Sequence, residues 1–138
     1  MTGVPMTLRP GLEREDEFVA EGRLLTDVGG TLGVRVLSTP SMIGMMERAA
    51  ARMAAAHLDP DRATVGFEVC VRHVAGAAEG TRCVARAALR EIVDERKLRF
   101  DVEVRTQDGG RVIGLGTHER RIVPVAGHAQ GLAGGSGG

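Results

Sequence analysis

The sequence predicts an α+β domain, about five antiparallel strands curled around one long central helix, and three observations carry that prediction. Only residues 39–58 keep an apolar repeat of about 3.6 residues over several turns. Beyond them the repeat drops to two, and the alternating stretches are parted by short Gly- and Asp-bearing turn signals. One helix is then the only element available to cover the inner face of the sheet.

The helix follows from its composition. Ala, Met and Arg are strong helix formers, and no Pro interrupts the run after its first turn. Thr39 followed by Pro40 reads as the start, with Thr capping free amides and Pro filling a position whose N–H has no partner. Leu58-Asp59-Pro60 reads as the stop. Met42, Met46, Ala49, Ala50, Met53 and His57 share one apolar side, widened by Ile43 and Ala54, while Arg48 and Arg52 mark the wet side. Glu47 falls at the edge of the buried arc, in a row with Ile43, Ala50, Ala54 and Leu58. A carboxylate among apolar neighbours is costly unless it is paired, hydrogen-bonded or protonated. Glu47 is therefore either a rim residue that reaches solvent or an Arg, or a functional one.

The rest of the chain reads as strands. Residues 1–12 are irregular, and a first strand falls within 16–25. Residues 27–38 carry Gly29, Gly30 and Gly33 ahead of a short apolar piece, a flexible approach to the helix that lacks phosphate-loop spacing and a following Lys. After the helix Phe67, Val69, Val71 and His73 alternate with Glu68, Cys70, Arg72 and Val74, which predicts a strand with His73 on its apolar face. A loop at 76–80 leads to an Ala- and Val-rich strand at 81–93, turned back by Asp94-Glu95-Arg96. Leu98, Phe100, Val102 and Val104 alternate with charged residues, Asp108-Gly109-Gly110 marks a hairpin, and 111–123 forms the last strand. The Gly-rich tail, 126–138, is too small and polar to pack and reads as disordered. The domain is thus 13–125, and its order of one strand, one helix and four strands is the hot-dog arrangement.

Composition narrows the function. With 138 residues the chain is most simply one domain, and its 18 Lys+Arg balance 18 Asp+Glu, so charge gives no case for nucleic acid or an anionic membrane. Three Phe with no Trp or Tyr leave little to stack on bases. No stretch is long and apolar enough for a bilayer and the N-terminus lacks a signal peptide's apolar centre, so a cytoplasmic protein is expected. Cys70 and Cys83 lie inside strand patterns without metal-ligand spacing and read as reduced packing residues.

Three polar groups remain on or near the buried faces: Thr39, Glu47 and His73. Singly they read as a helix cap, a rim acid and a hydrogen-bonded core histidine. Together they supply a hydroxyl, a carboxylate and an imidazole, the set acyl transfer uses, with the amides and dipole of a helix start for a developing oxyanion. The surrounding sequence resembles the fluoroacetyl-CoA thioesterase family, a branch of the hot-dog thioesterases, over about residues 15–125. The matching pieces are Thr39 with MIGMME ending at Glu47, GFEVCVRH from Gly66 to His73, and GTHER from Gly116 to Arg120. The resemblance implies thioester hydrolysis without a cofactor. It makes Thr39, Glu47 and His73 the catalytic set, and Gly66, His73 and Arg120 contacts to an acyl-CoA. It further implies at least a homodimer with the substrate groove between subunits, and the unpaired edges of a single short sheet point the same way. The family's fluoroacetate-specific member has an aromatic lid before the catalytic helix, whereas residues 21–38 hold no aromatic. A small or medium acyl-CoA is therefore the expected substrate. Two readings compete: a hot-dog dehydratase or hydratase, for which no second His beside a helix carboxylate is evident, and a non-catalytic acyl-CoA-binding module. The enzyme reading expects Glu47 and His73 to share one water-poor pocket.

Overall fold

The computed structural model describes residues 7–125. The first six residues of the predicted irregular N-terminus and the predicted Gly-rich tail lie outside them. In order come β1 (Glu13–Val19), a 3-10 turn (Gly22–Leu24), β2 (Leu25–Thr26), β3 (Val36–Leu37), α1 (Thr39–Ala55), β4 (Arg62–His73), β5 (Arg82–Val93), β6 (Lys97–Thr106) and β7 (Val112–Pro124). Five strands form one antiparallel sheet in the order β1-β5-β6-β7-β4, with α1 across its inner face, as the alternation of periods predicts. The approach to the helix is more ordered than its glycines suggest. β2 and β3 pair through Leu25 and Leu37, the Leu37 N–H donates to Ala77 O at 2.8 Å, and the Ser38 N–H donates to Leu24 O at 2.9 Å. These bonds fix where α1 begins.

α1 buries Met42, Met45, Met46, Ala49, Ala50, Met53 and Ala54; Met45 joins the expected face, while Ile43 is half-buried and His57 lies past the end of the helix. It ends about a turn before Pro60, because the N–H groups of His57 and Leu58 reach back to Ala54 O and Ala55 O and tighten the last turn to 3-10 pitch. The sheet answers with Cys83, Ala85, Ala87 and Leu89 from β5 and Leu98, Phe100, Val102 and Val104 from β6, all buried. The small alanines of β5 let the helix lie close, and the larger β6 side chains fill the space beside it. Cys83 packs as expected. Cys70 does not, being exposed on the outer face.

β4 breaks the simple alternation that the sequence suggests. Its pairing with β7 runs Gly66↔Arg120 and then Glu68↔Glu119, leaving Phe67 as the extra residue of a β-bulge. One extra residue changes the phase of everything upstream. Val69, Val71 and His73 face the helix, as expected, but beyond the bulge that face passes to Gly66 and Thr64. Phe67 is turned outward, 58% exposed, with the Arg121 guanidinium 3.6 Å from its ring centre.

β4 and β7 crowd together near Gly116, where a Cβ would run into the carbonyl oxygen of Cys70 and the Cα of Val71. Neither backbone atom can move without disturbing the ladder. Gly116→Ala is therefore expected to cost about 1–3 kcal/mol of stability, read as a lowered midpoint in urea unfolding; an unchanged midpoint would mean the two strands separate freely here.

Candidate active site

Two polar clusters stand on the helix-facing side of β4, one toward each end of the strand. The first is at the helix start. Ser38, not Thr39, is the N-cap: its Oγ accepts from the Ser41 N–H at 3.1 Å and donates to Ser41 Oγ at 2.7 Å. The expected cap role for Thr39 is thus corrected, since Thr39 is already inside the helix and its hydroxyl is released from capping. That hydroxyl lies 2.8 Å from His73 Nδ1. The other ring nitrogen, Nε2, is buried without a hydrogen-bond partner. A buried N–H with no acceptor is rarer and costlier than a buried lone pair, so the proton is assigned to Nδ1, which donates to Thr39 Oγ1. The threonine hydrogen is then left free to turn toward a ligand. Among the first-turn amides Pro40 has no N–H, Ser41 donates to Ser38 Oγ and Met42 donates to Ser38 O, so the helix start offers fewer free amides than expected.

The second cluster gathers under the middle of α1. Glu47 is half-buried, and its carboxylate has no ion-pair or hydrogen-bond partner among the described residues. Its Oε2 stands 3.1 Å from where a Cβ on Gly66 would be, with Arg120 Nη1 3.5 Å and His118 Cε1 3.6 Å from the same point. The bulge at Phe67 is what sets a residue without a side chain in this gap. Arg120 is only 8% exposed, which rules out an ordinary solvent-facing strand Arg. Its Nε donates to Thr64 Oγ1 at 2.7 Å and its Nη2 to Thr64 O at 2.9 Å, so the guanidinium plane is fixed with Nη1 toward Glu47 and His118. Burial lowers the Arg120 pKa, opposed by the nearby Glu47 charge.

His118 was not singled out from the sequence. It sits two residues before Arg120, 3% exposed, with its ring stacked on Phe100. Nδ1 donates to Glu68 O at 2.7 Å and Nε2 accepts from Arg120 Nη1 at 3.3 Å. Burial pushes its pKa down; the hydrogen bond to Glu68 O opposes this, the Arg120 charge adds to it, and the Glu47 charge opposes it. The expectation that no second histidine lies near a helix carboxylate is thereby corrected. Both its ring nitrogens are committed, however, so His118 holds Arg120 in place and is not a free base. The signal for it was present: the inward phase of β7 that carries Arg120 also carries the residue two before it.

Thr39 with His73, and Glu47 with Gly66 and Arg120, are therefore each brought together, but not with one another. Thr39 and Glu47 are eight positions apart on the helix, about 12 Å along the axis. Among the described residues no group of three His, Cys, Asp or Glu side chains is placed to hold a metal, and no helix is long and apolar enough to cross a membrane.

Residues 19–126 match the model of the family described as fluoroacetyl-CoA-specific thioesterase, FlK. The chain belongs to that family. Within it, the fluoroacetyl-CoA thioesterase of Streptantibioticus cattleyicolor is 38% identical over 88 residues, 64% of this chain and 61% of the relative, so this chain aligns with under two thirds of that protein. A variant of FlK in complex with fluoroacetate and CoA has a TM-score of 0.77 at 28% identity, covering 88% of this chain and 99% of the other. A hot-dog-like protein from Thermanaerovibrio acidaminovorans has a TM-score of 0.80 at 17% identity, covering 94% and 93%, a likeness of fold alone. The FlK-like chain thus has the hot-dog fold expected from its element order.

The capping geometry gives a direct test. Ser38→Ala is expected to cost about 1 kcal/mol as the loss of a cap, and Thr39→Ala much less, measured side by side by chemical denaturation. A larger loss from Thr39→Ala would return the capping role to the threonine.

Proposed function

We propose that the chain, through its unit 13–125, is an acyl-CoA thioesterase that hydrolyses small or medium acyl thioesters as a homodimer, with Thr39, Glu47 and His73 as the catalytic set. The observation that carries this reading is the 2.8 Å contact between Thr39 Oγ1 and His73 Nδ1 at the start of α1, beside a strand whose other end, at Gly66, faces the carboxylate of Glu47. Family membership supports the reaction class, and the CoA bound to the FlK variant supports the choice of thioester.

The thioester carbonyl lies at the helix start. Its oxygen receives the Thr39 hydroxyl hydrogen and the positive end of the helix dipole, interactions that strengthen as the oxygen becomes an oxyanion. The partner subunit's Glu47, across the groove between the two subunits of the homodimer, takes a proton from water, and the resulting hydroxide equivalent attacks the carbonyl carbon. Collapse of the tetrahedral state breaks the carbon–sulfur bond. The departing CoA thiolate takes, through water, the proton that Glu47 removed, while His73 keeps its Nδ1–H on Thr39 Oγ1 and so holds the threonine hydrogen on the oxyanion. The products are CoA thiol and a carboxylic acid, with the site restored. Gly66 leaves room for the acyl group beside Glu47, and Arg120, braced by Thr64 and His118, sets the positive wall of that space.

The substrate choice rests on residues 21–38. They contain no aromatic side chain, and the connection between β2 and β3 presents the exposed aliphatics Val28, Leu32 and Val34. Such a surface suits an alkyl chain and has no ring to select a fluorinated acyl group.

A free-thiol assay over acyl-CoAs of rising chain length tests the proposal. Glu47→Gln and His73→Ala are each expected to lower CoA release by about a hundredfold or more, with melting temperatures close to that of the wild type. Full turnover by both variants would remove them from the chemistry. Saturable acyl-CoA binding without release would make the chain a binding module instead.

A further inference from the structure

We infer that His118 is a positioning residue of the reaction: resting on the proposed function, its Nε2 holds the Arg120 guanidinium off the Glu47 carboxylate of the same chain, which leaves that carboxylate free to take a proton from water. The starting observation is an ion pair that does not form. Glu47 Oε2 and Arg120 Nη1 stand 3.1 Å and 3.5 Å from one point, the place of a Gly66 Cβ, and Gly66 puts no side chain between them. Opposite charges this close in a half-dry gap attract strongly. Yet Glu47 has no hydrogen bond or contact ion pair among the described residues.

The bonds around Arg120 show what holds it back. Thr64 accepts from Nε through Oγ1 at 2.7 Å and from Nη2 through its carbonyl at 2.9 Å, both along one edge of the guanidinium. Two fixed points define an axis, so the plane could still tip about that edge and carry Nη1, the far corner, toward the carboxylate. His118 Nε2, which accepts from Nη1 at 3.3 Å, is the third point.

The imidazole can serve because it is itself fixed. Its Nδ1–H donates to Glu68 O at 2.7 Å, just past the bulge at Phe67, and its ring is stacked on Phe100 with centroids 6.3 Å apart. The charged groups that face it are Arg120 of β7 and Glu47 of α1, while β4 presents the Glu68 carbonyl and β6 the Phe100 ring. Burial favours the neutral imidazole, so Nε2 keeps the lone pair that Arg120 needs. A carboxylate paired with a guanidinium is a weaker base and has fewer lone pairs to offer a water molecule. Held apart, Arg120 stays available to the acyl-CoA and Glu47 to the water.

Two substitutions at one position test this. His118→Leu keeps an apolar side chain against Phe100 but removes the lone pair, so Arg120 should close on Glu47. CoA release at saturating acyl-CoA should then fall by about tenfold or more, with the loss chiefly in kcat. The acid limb of its kcat profile should also move to lower pH, because a carboxylate paired with a guanidinium resists protonation. His118→Gln supplies an amide that can donate to Glu68 O and accept from Arg120, and should restore kcat to within about threefold of wild type. Melting temperatures are read beside the rates, and if His118→Leu does not fold, His118→Met is read in its place. An apolar variant with wild-type kcat, an acid limb that does not move, or a glutamine variant as impaired as the apolar one overturns the inference while leaving the thioesterase reading intact. A wild type that releases no CoA from any acyl-CoA overturns the thioesterase reading and the inference with it.

Discussion

A strand turns successive side chains to opposite faces, so one added residue reassigns everything on one side of it. In β4 that residue is Phe67, and the candidate site depends on it. Without the extra residue, upstream of Val69 a phenylalanine would point at Glu47, and the space beside the carboxylate would be filled by a ring. With it, Gly66 points inward and Phe67 lies outside under Arg121. The cost of a disrupted ladder is offset by the packing of that ring and by the two hydrogen bonds from Arg120 to Thr64, which tie the displaced backbone to β7.

The start of α1 shows the same division of labour on a smaller scale. A helix needs its first amides satisfied, and a hydroxyl that caps them is not free for another partner. Ser38 takes the capping task, so Thr39 is left to His73. Pro40 contributes a fixed backbone angle without adding an N–H to be satisfied. The short β2–β3 pairing and its bonds to Leu24 and Ala77 hold this junction against the sheet, which places Thr39 at the end of β4.

Much of the fold was legible because periodicity is a strong signal over long elements. The Met- and Ala-rich face of α1 and the alternation through Leu98, Phe100, Val102 and Val104 identify the helix, a sheet strand and their contact. What was not legible depended on single residues. Ser38 and Thr39 are both good caps, and only the Ser38–Ser41 bonds distinguish them. Phe67 continues an apolar alternation, and nothing local announces the bulge. His118 and Arg120 look like exposed strand residues until the inward phase of β7 is known. Glu47 was identifiable as a carboxylate at the edge of an apolar arc, yet its distance from His73 follows only from three-dimensional placement.

The central claim is that the open space at Gly66 is where the Glu47 carboxylate meets its substrate. Gly66→Ala measures it most directly, because the new methyl group would stand 3.1 Å from Glu47 Oε2 and does not reach Thr39 or His73. Steady-state hydrolysis of the best acyl-CoA substrate should fall by about tenfold or more, with the melting temperature nearly unchanged. Undiminished turnover by Gly66→Ala would contradict the account.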